Sequence, residues 1–389
     1  MSQAVARRVS TLDKQESIVI LFPGAGRKQR LDDIKTGRSP KEFFYGTFDL
    51  AARGATIHYA DTRQDPDGIF AKVCLLAERA RNWLTGFGLS KQRVVALRSE
   101  IETADVAIGF TDAFSLSLGR YRDVLRGHAV LIGGFHGLSD MLDEIAPLYR
   151  PWVRSEIRRA VAGLDHMFFL GEADRKEAIR LFGIPPEKTS LFNFGVDTDF
   201  WSPLDDGSCE RTDDCVLSVG SDPKRDYATL LAADISLPVR IVTRLKVEVP
   251  ADRANVEVIP GGYHNVATDG ALRDLYRKAA ILVVPIRDVF QPSGQSVTLQ
   301  AMACGKPVIL SRIKGLWDPE VFKSGENCLL VEPENPDALA DAVALLQENV
   351  PLRTKIGEAA RATALRSFAL QRMNDSLAAL IARCRVRKG

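Results

Sequence analysis

Residues 283–320, which read VVPIRDVFQPSGQSVTLQAMACGKPVILSRIKGLWDPE, constrain the fold more than any other segment of the chain. An aliphatic run at 281–284 ends at a proline and is typical of a buried strand. Polar and glycine residues at 293–296 open a helical stretch that stops at the Gly-Lys-Pro of 305–307. A second aliphatic run follows at 308–310. This order predicts a βαβ unit, in which a helix joins two parallel strands.

The start of that predicted helix has the properties of an anion-binding site. Serine is a favoured residue at helix starts, and glycine lets a ligand approach the backbone closely. Free backbone N–H groups at a helix start attract anions, commonly phosphate. We therefore predict ligand binding by four consecutive residues: Ser293, Gly294, Gln295 and Ser296. The alternative is that these residues only cap the helix.

The helix and the turn after it carry a family resemblance. AMACGKPVILS at 301–311 resembles the AMACG-x-PV segment of the retaining GT-B glycosyltransferases often called family four. Three further segments resemble that family in the expected order: LFNFGVDTDFWSP at 191–203, SVGSDPKRDYATLL at 218–231 and ENCLLVEPENPDALADAV at 326–343. The resemblance is specific over about the last 200 residues and weaker over 1–165, where acceptor specificity is usually set.

The resemblance implies an α/β fold of GT-B type, with two doubly wound Rossmann-like domains that face each other across a cleft. It further implies that the loop and helix of 293–303 hold a nucleotide-sugar donor. Domain bounds of 1–204 for the acceptor domain and 214–365 for the donor domain follow, with the polar stretch 201–214 as the linker. The last helix, within 366–389, is expected to pack back on the first domain.

Two departures from the family pattern affect the donor site. The family has a pair of glutamates where this chain has Pro292 and Gln300, and often an arginine where this chain has Ser221. The Gln300 amide can still bond ribose hydroxyls, because it both donates and accepts. Pro292 has no polar side-chain group for the donor sugar. The loop must then use backbone groups or nearby side chains, namely Gln291, Ser293, Gln295 and Ser296.

Composition and strand spacing agree with two domains. A chain of 389 residues is long for one core, and a net charge of +2 indicates no nucleic-acid partner. Twelve candidate strands alternate with helical stretches, as in parallel doubly wound sheets. They lie near 17–22, 55–60, 104–109, 128–133, 165–170, 189–192, 215–219, 238–243, 255–259, 280–284, 307–311 and 328–331.

The chain shows no signal-peptide pattern and no apolar run long enough to span a membrane. Six scattered cysteines without a Cys-x-x-Cys pair indicate reduced thiols rather than a zinc site. We expect a cytoplasmic enzyme. Any association with a membrane is expected at its cytoplasmic face.

Phosphate chemistry points to the loop after strand 215–219. When the bond between sugar C1 and a diphosphate breaks, negative charge builds on the leaving group and must be neutralised by a metal or by fixed cations and N–H dipoles. No Asp-x-Asp lies at a strand end, so we expect a metal-free site that uses Lys224 and Arg225. Doubly wound sheets bind ligands at such strand ends. The alternative is that both residues lie in a solvated turn.

Glycines and histidines supply further candidates. Gly24 and Gly26 follow the first strand, and in the family a glycine-rich loop here faces the donor phosphates; a plain tight turn is the alternative. His136 lies between glycines after strand 128–133, which indicates an exposed loop at the sheet edge. Many relatives carry a histidine near this position that contacts the donor sugar or the reaction centre, so the resemblance implies a positioning role; a loop histidine bonded to backbone is the alternative. His264 lies where relatives place the nucleobase, although an exposed loop is the simpler interpretation.

Residues 149–159, YRPWVRSEIRR, mix aromatic and basic side chains on a predicted helix. Relatives that act on lipid acceptors often dock such first-domain surfaces on anionic membranes, which makes this stretch a candidate for peripheral membrane contact. An amphipathic helix with a solvated basic face is the alternative, and the one that we favour.

The expected activity is transfer of a sugar from a nucleoside diphosphate sugar to an acceptor hydroxyl with retention of configuration. The donor is the only cofactor-like ligand expected, and the acceptor is a lipid-linked or small-molecule glycan. A non-hydrolysing sugar-nucleotide epimerase is an alternative, although such enzymes rely on acidic residues around the sugar. A catalytically degenerate GT-B scaffold is the other, supported only by the missing glutamate pair.

Overall fold

The computed structural model describes residues 17–22, 27–61, 67–204, 213–261 and 268–386. Within them lie two six-stranded sheets, in which every pair of neighbouring strands is parallel. Helices pack on both sheets, so the predicted α/β fold of GT-B type is confirmed.

The described residues of the first half form six strands and eight α-helices. Its sheet has the order β2-β1-β3-β4-β5-β6. The strands are β1 (Ser17–Phe22), β2 (Thr56–Asp61), β3 (Val106–Gly109), β4 (Val130–Phe135), β5 (His166–Phe169) and β6 (Thr189–Leu191). The helices are α1 (Arg27–Lys35), α2 (Thr47–Ala52), α3 (Ile69–Thr85), α4 (Lys91–Ala96), α5 (Arg98–Glu102), α6 (Asp112–Arg120), α7 (Arg150–Ala162) and α8 (Glu172–Phe182). Short 3-10 turns include Glu42–Phe44 and Ser139–Leu142.

The second half contains the other six strands and the remaining helices. Its sheet has the order β12-β11-β10-β7-β8-β9. The strands are β7 (Asp213–Val219), β8 (Val239–Thr243), β9 (Val256–Pro260), β10 (Ala279–Val284), β11 (Val308–Ser311) and β12 (Leu329–Val331). The helices are α9 (Tyr227–Ala232), α10 (Asp269–Lys278), α11 (Gln295–Ala303), α12 (Pro336–Glu348), α13 (Val350–Ser367) and α14 (Leu370–Val386).

Local sequence explains these elements. The central strands β4 and β10 are buried at every position, which is why they read as continuous apolar runs rather than alternating ones. Helix starts carry their expected caps. The side chains of Asp226, Asn335 and Asn349 accept backbone N–H groups in the first turns of α9, α12 and α13.

The last helix returns to the first half, as predicted. The backbone N–H of Val196 donates to the Phe368 carbonyl at 2.9 Å, just before α14 begins. On α14, the Ser376 hydroxyl accepts the Asn193 N–H at 3.3 Å. A Cβ on Gly46, which precedes α2, would lie 3.0 Å from the Asn374 Cα, so the two helices meet at backbone distance.

All twelve predicted strands are present, each within two residues at either end. The predicted linker differs at its start. Trp201 is fully buried in an apolar cluster that contains residues of both sheets, because its indole lies between the two halves. Most of the remaining linker, 205–212, lies outside the described residues.

Candidate functional site

A cleft of about 490 Å³ lies between the two halves, at the carboxyl ends of the strands. Residues that follow β3, β4 and β5 line its first-half side, and residues that follow β7 and β10 line the other. In the second sheet β7 and β10 are neighbours, and the chain continues outward in opposite directions from that pair. Ligands of doubly wound sheets bind at such switch points.

The guanidinium of Arg225 is the central feature of the second-half wall. Arg225 lines the cleft although its side chain is only about 5 % exposed. Its Nε and Nη1 atoms have no hydrogen-bond partner among the described residues. A Cβ on Gly220 would collide with this guanidinium, so a glycine is needed beside it. Burial lowers the pKa of Arg225 from its usual value, although the charge of Asp222 acts in the opposite direction. Buried cationic donors that lack acceptors favour the binding of an anion.

The start of α11 faces the same space. Gly294 caps the helix in the left-handed region at φ +81°, and the next three residues line the cleft. A Cβ on Gly294 would lie 2.7 Å from Ile286 Cδ1 and 2.8 Å from Val284 Cγ1, so only glycine fits. The first N–H groups of α11 have no partner within the helix and carry partial positive charge. Together with Arg225 they form an electropositive corner.

Asp222 is a cleft residue that the sequence reading missed. Its Oδ2 accepts the Gln291 amide at 2.7 Å and the Ser293 hydroxyl at 2.8 Å, and its Oδ1 accepts the Lys224 N–H at 2.9 Å. Two side chains predicted to hold the donor sugar therefore donate to a carboxylate instead. Asp222 lies two residues beyond Gly220, just after the end of a strand. This position could have identified it, because doubly wound sheets bind ligands at such strand ends.

The loop before α11 is fixed from the first half as well. Asp140 Oδ2 accepts the Gln291 N–H at 2.6 Å, and Asp140 Oδ1 accepts the Phe290 N–H at 3.3 Å. Burial raises the pKa of Asp140. A Cβ on Gly171 would lie 3.2 Å from Pro292 Cβ, so this proline packs against the first half. Pro292 thus shapes the cleft although it offers no polar group.

The first-half wall combines aromatic and polar groups. His136 lines the cleft, and its backbone N–H donates to Asp112 Oδ1 at 3.0 Å. Tyr45 stacks on Phe110 at 4.4 Å between ring centroids and meets the His136 ring edge-on at 6.1 Å. Asp112 begins α6, directly beyond β3, so it too could be expected at the ligand edge of the sheet. Phe43 and Phe194 complete the aromatic surface.

Lys224 lies elsewhere than predicted. Its Nζ pairs with Glu144 Oε1 of the first half at 2.8 Å, and Lys224 does not line the cleft. Arg225 bridges to Ile286 in an antiparallel β-bridge, where successive side chains point to opposite sides. With Arg225 directed into the cleft, Lys224 is directed to the domain contact.

Gln300 also departs from its predicted place at the ribose. The residue is buried and lies outside the cleft lining, because its amide nitrogen donates to Glu42 Oε1 and to Ser296 Oγ, both at 3.1 Å. Glu42 Oε1 also accepts the Trp201 indole N–H at 2.6 Å. Burial raises the pKa of Glu42 to about 7. A glutamate at 300 would place two carboxylates in hydrogen-bond contact, so the amide is the compatible residue.

Three other predicted positions, Gly24, Gly26 and His264, lie outside the described residues. In the described part of the chain no group of three or more His, Cys, Asp or Glu side chains is arranged to hold a metal ion. The helices described here include none that is both long and apolar enough to cross a membrane.

Comparison with known proteins agrees with this architecture. Residues 230–349 match the family model of glycosyl transferases group 1. A D-inositol 3-phosphate glycosyltransferase from Corynebacterium glutamicum (strain R) is 27 % identical over 213 residues, which are 48 % of this chain and 50 % of that protein. The chain thus spans about half the length of the curated relatives it matches.

Two solved structures share the fold over nearly the whole chain. HepE from Anabaena, in complex with UDP-glucose, has a TM-score of 0.64 at 16 % identity and covers 94 % of this chain and 99 % of its own. Sucrose-phosphate synthase from Thermosynechococcus elongatus has a TM-score of 0.69 at 15 % identity and covers 96 % of this chain and 100 % of its own. Residues 230–349 thus match the glycosyl transferases group 1 family, and the chain has the fold of the GT-B glycosyltransferases.

Proposed function

We propose that this protein transfers a sugar from a nucleoside diphosphate sugar to an acceptor hydroxyl with retention of configuration. The buried guanidinium of Arg225 carries the proposal: it faces the cleft beside the start of α11, and its Nε and Nη1 have no hydrogen-bond partner among the described residues. A diphosphate supplies the missing anion, and a guanidinium matches phosphate oxygens in geometry and charge. The complex of HepE with UDP-glucose supports a uridine diphosphate donor.

The sugar then extends toward the carboxylates of the cleft. Asp222 and Asp112 both line it and both can accept sugar hydroxyls. Ser296 lines the cleft one helical turn before Gln300 and takes the place predicted for Gln300 at the ribose. His136 lines the first-half wall of the cleft, where it positions the sugar or the acceptor rather than acting as a nucleophile.

Transfer proceeds by front-face attack. The bond from sugar C1 to the diphosphate oxygen breaks, and the acceptor oxygen forms its bond to C1 on the same face. The acceptor proton passes to the leaving diphosphate. Arg225 and the N–H groups of α11 stabilise the charge that develops there, which is the task a metal performs in other transferases. The acceptor is a lipid-linked or small-molecule glycan, met in the cytoplasm.

A panel of UDP-, GDP- and ADP-sugars tests the proposal. One donor should stabilise the protein against heat, because a ligand that binds only the folded state shifts unfolding by mass action. That donor should also be hydrolysed slowly without acceptor, with EDTA present, to a sugar of unchanged anomeric configuration by NMR. Tight binding without turnover would indicate a scaffold. Turnover only with added Mg²⁺ or Mn²⁺ would contradict the metal-free site, and no binding would overturn the proposal.

The stretch 149–159 keeps both of its predicted interpretations. Val153 and Ile157 of α7 are buried in the first-half core, whereas Trp152, Arg154 and Arg158 are exposed. The helix is therefore amphipathic with a basic outer face, as the favoured interpretation predicted. Membrane contact by that face is part of the proposal. The neighbouring helix α3 supports this contact, because it has exposed apolar side chains.

A further inference from the structure

The apolar face of helix α3 points away from the core of the protein and into solvent. Six large apolar side chains of α3 are between 57 % and 87 % exposed: Ile69, Phe70, Val73, Leu76, Trp83 and Leu84. Their spacings of one, three, four and seven residues put them on one face. Such a face normally packs on the core, and contiguous exposed apolar patches mark interaction sites.

The inward face of α3 is held by polar contacts instead. Glu78 accepts the Ser90 hydroxyl at 2.6 Å and the Lys91 N–H at 3.0 Å. Asn82 donates to the Leu89 carbonyl at 3.0 Å and accepts the Leu89 N–H at 3.3 Å. These hydrogen bonds fix the rotation of the helix about its axis, so the outward direction of the apolar face is built into the fold.

Charges on α3 are placed around the apolar face in one sign. Lys72 and Arg79 are exposed along one border of the face. Arg81 lies along the other border, half-buried and donating to the Leu89 carbonyl at 2.6 Å. Glu78 is the one acidic residue of α3, and it points inward. The apolar face is thus bordered by cations, as on helices that lie in the surface of anionic membranes.

The patch continues past the end of α3. The rings of Phe87 and Trp152 meet edge-on at 6.2 Å, which brings the start of α7 beside the C-terminal end of α3. Leu148 is 81 % exposed and Trp152 is 38 % exposed there, and the exposed Arg154 and Arg158 follow on α7. Tryptophan with a basic surround is typical of the boundary between headgroups and acyl chains.

We propose that α3, with Leu148 and Trp152, is a docking surface for an anionic lipid bilayer, which α3 enters lying parallel to the membrane plane. A second copy of the chain is a poorer occupant. A two-fold interface would set the same patch against itself and bring its cationic borders together. The proposal rests on the surface of the first half and is independent of the reaction in the cleft.

Vesicle binding tests the proposal with the full chain. Wild type should float with vesicles of phosphatidylcholine containing about one-third phosphatidylglycerol, and bind phosphatidylcholine alone at least about tenfold more weakly. The double variant Phe70→Ser, Leu76→Ser should lose at least about tenfold in binding to the mixed vesicles, because its apolar contact is reduced. The matched control Leu345→Ser, Leu365→Ser removes two exposed leucines of α12 and α13, each 46 % exposed, and should bind as wild type does.

Tryptophan fluorescence and the molecular mass in solution provide further tests of the proposal. Trp201 and Trp317 are buried, so in a Trp152→Phe background a blue shift of emission that depends on mixed vesicles and disappears on the further change Trp83→Phe reports entry of α3. The charge variant Lys72→Glu, Arg154→Glu should bind mixed vesicles more weakly while keeping its melting temperature. Absence of binding by wild type, or equal binding by Phe70→Ser, Leu76→Ser, would overturn the proposal. A wild-type dimer that this double variant dissociates would assign the face to a second copy.

Discussion

Among single residues, the contact between Glu42 and Gln300 explains why this chain has a glutamine at position 300, where the family pattern has a glutamate. The two side chains are 258 residues apart in the chain and 3.1 Å apart in the structure. Gln300 therefore serves the junction of the two halves, and its amide is required because the partner is a buried carboxylate. The position of Gln300 on α11 was predictable from the local sequence. Its partner was not, because Glu42 lies 258 residues away in the chain.

Gln300→Glu tests this account. We expect the variant to lose at least about 2 kcal/mol of unfolding free energy at pH 8, because two carboxylates would share a buried site. Glu42→Gln in the same chain should recover most of that loss. Chemical denaturation of the four proteins in a double-mutant cycle measures the coupling. Additive effects would show that the two side chains do not interact.

Asp222→Asn tests the carboxylate that the sequence reading missed. The substitution keeps an acceptor for Gln291 or Ser293 but removes the charge, and charge-assisted hydrogen bonds are about twice as strong as neutral ones. We expect kcat/KM for the donor sugar to fall about 10- to 100-fold, equivalent to about 1.4–2.7 kcal/mol. Inhibition by the free nucleoside diphosphate should be unchanged or tighter.

Asp213→Asn is the matched control for that comparison. Asp213 lies at the opposite end of β7, where it pairs with Arg240 at 2.6 Å. Its variant should keep both the kcat/KM and the inhibition constant of wild type. Equal kcat/KM in Asp222→Asn and wild type would remove Asp222 from the sugar site.

At the scale of elements, the agreement between sequence and structure follows from local physics. Strands β1 to β12 were predictable because parallel strands buried on both faces are short apolar runs bounded by turn residues. The start of α11 was predictable from its glycine and serines. The inverted face of α3 was not, since its apolar spacing is also that of a helix packed on a core. Its rotation is shown by the exposed apolar side chains and by the hydrogen bonds of Glu78 and Asn82.

Gly294→Ala tests the geometry of the α11 start. The new Cβ would sit in a left-handed backbone conformation and press on Val284 and Ile286. We expect nucleoside diphosphate affinity to fall by at least about tenfold, because the N–H groups and Arg225 move apart. Calorimetric titration measures the change.

Gly325→Ala is the matched control for α11. Gly325 has nearly the same φ, +82°, but a Cβ there meets nothing within 4 Å. This variant should lose about 1 kcal/mol of stability from backbone strain and bind the nucleotide normally. Equal nucleotide affinities for the two variants would mean that the start of α11 is not a binding element.

At the scale of the whole molecule, the two halves are joined by polar contacts on both sides of the cleft. Asp140 holds the loop before α11, Lys224 pairs with Glu144, and Glu42 holds Gln300. These contacts place the anion site of the second half opposite the aromatic wall of the first. They also explain why Lys224 and Arg225 have different roles although they are adjacent and have the same charge. Which of the two faces the cleft depends on a contact between the halves, and no local sequence pattern predicts that contact.

Stability should depend on pH through Glu42. The carboxyl has a folded pKa of about 7 against an ordinary value of 4.5, so the unfolded chain releases this proton at lower pH than the folded one. The stabilising contribution is therefore complete below about pH 4.5 and is lost as pH rises through 7. Relative to Glu42→Gln, wild type should lose on the order of 3 kcal/mol between pH 4.5 and 7.5. Denaturation of both proteins across this range measures it, and parallel pH profiles would contradict it.

Binding of a diphosphate by Arg225 can be measured directly. Calorimetric titrations should compare wild type with Arg225→Met, using the nucleoside diphosphate that stabilises wild type most and its parent nucleoside. We expect Arg225→Met to lose about 2–4 kcal/mol of affinity for the diphosphate and to keep its affinity for the nucleoside. The free variant should also melt at a higher temperature than wild type, since a buried charge with no hydrogen-bond acceptor among the described residues is gone. Equal loss of affinity for both ligands, or no loss for the diphosphate, would contradict the claim that Arg225 binds the phosphate.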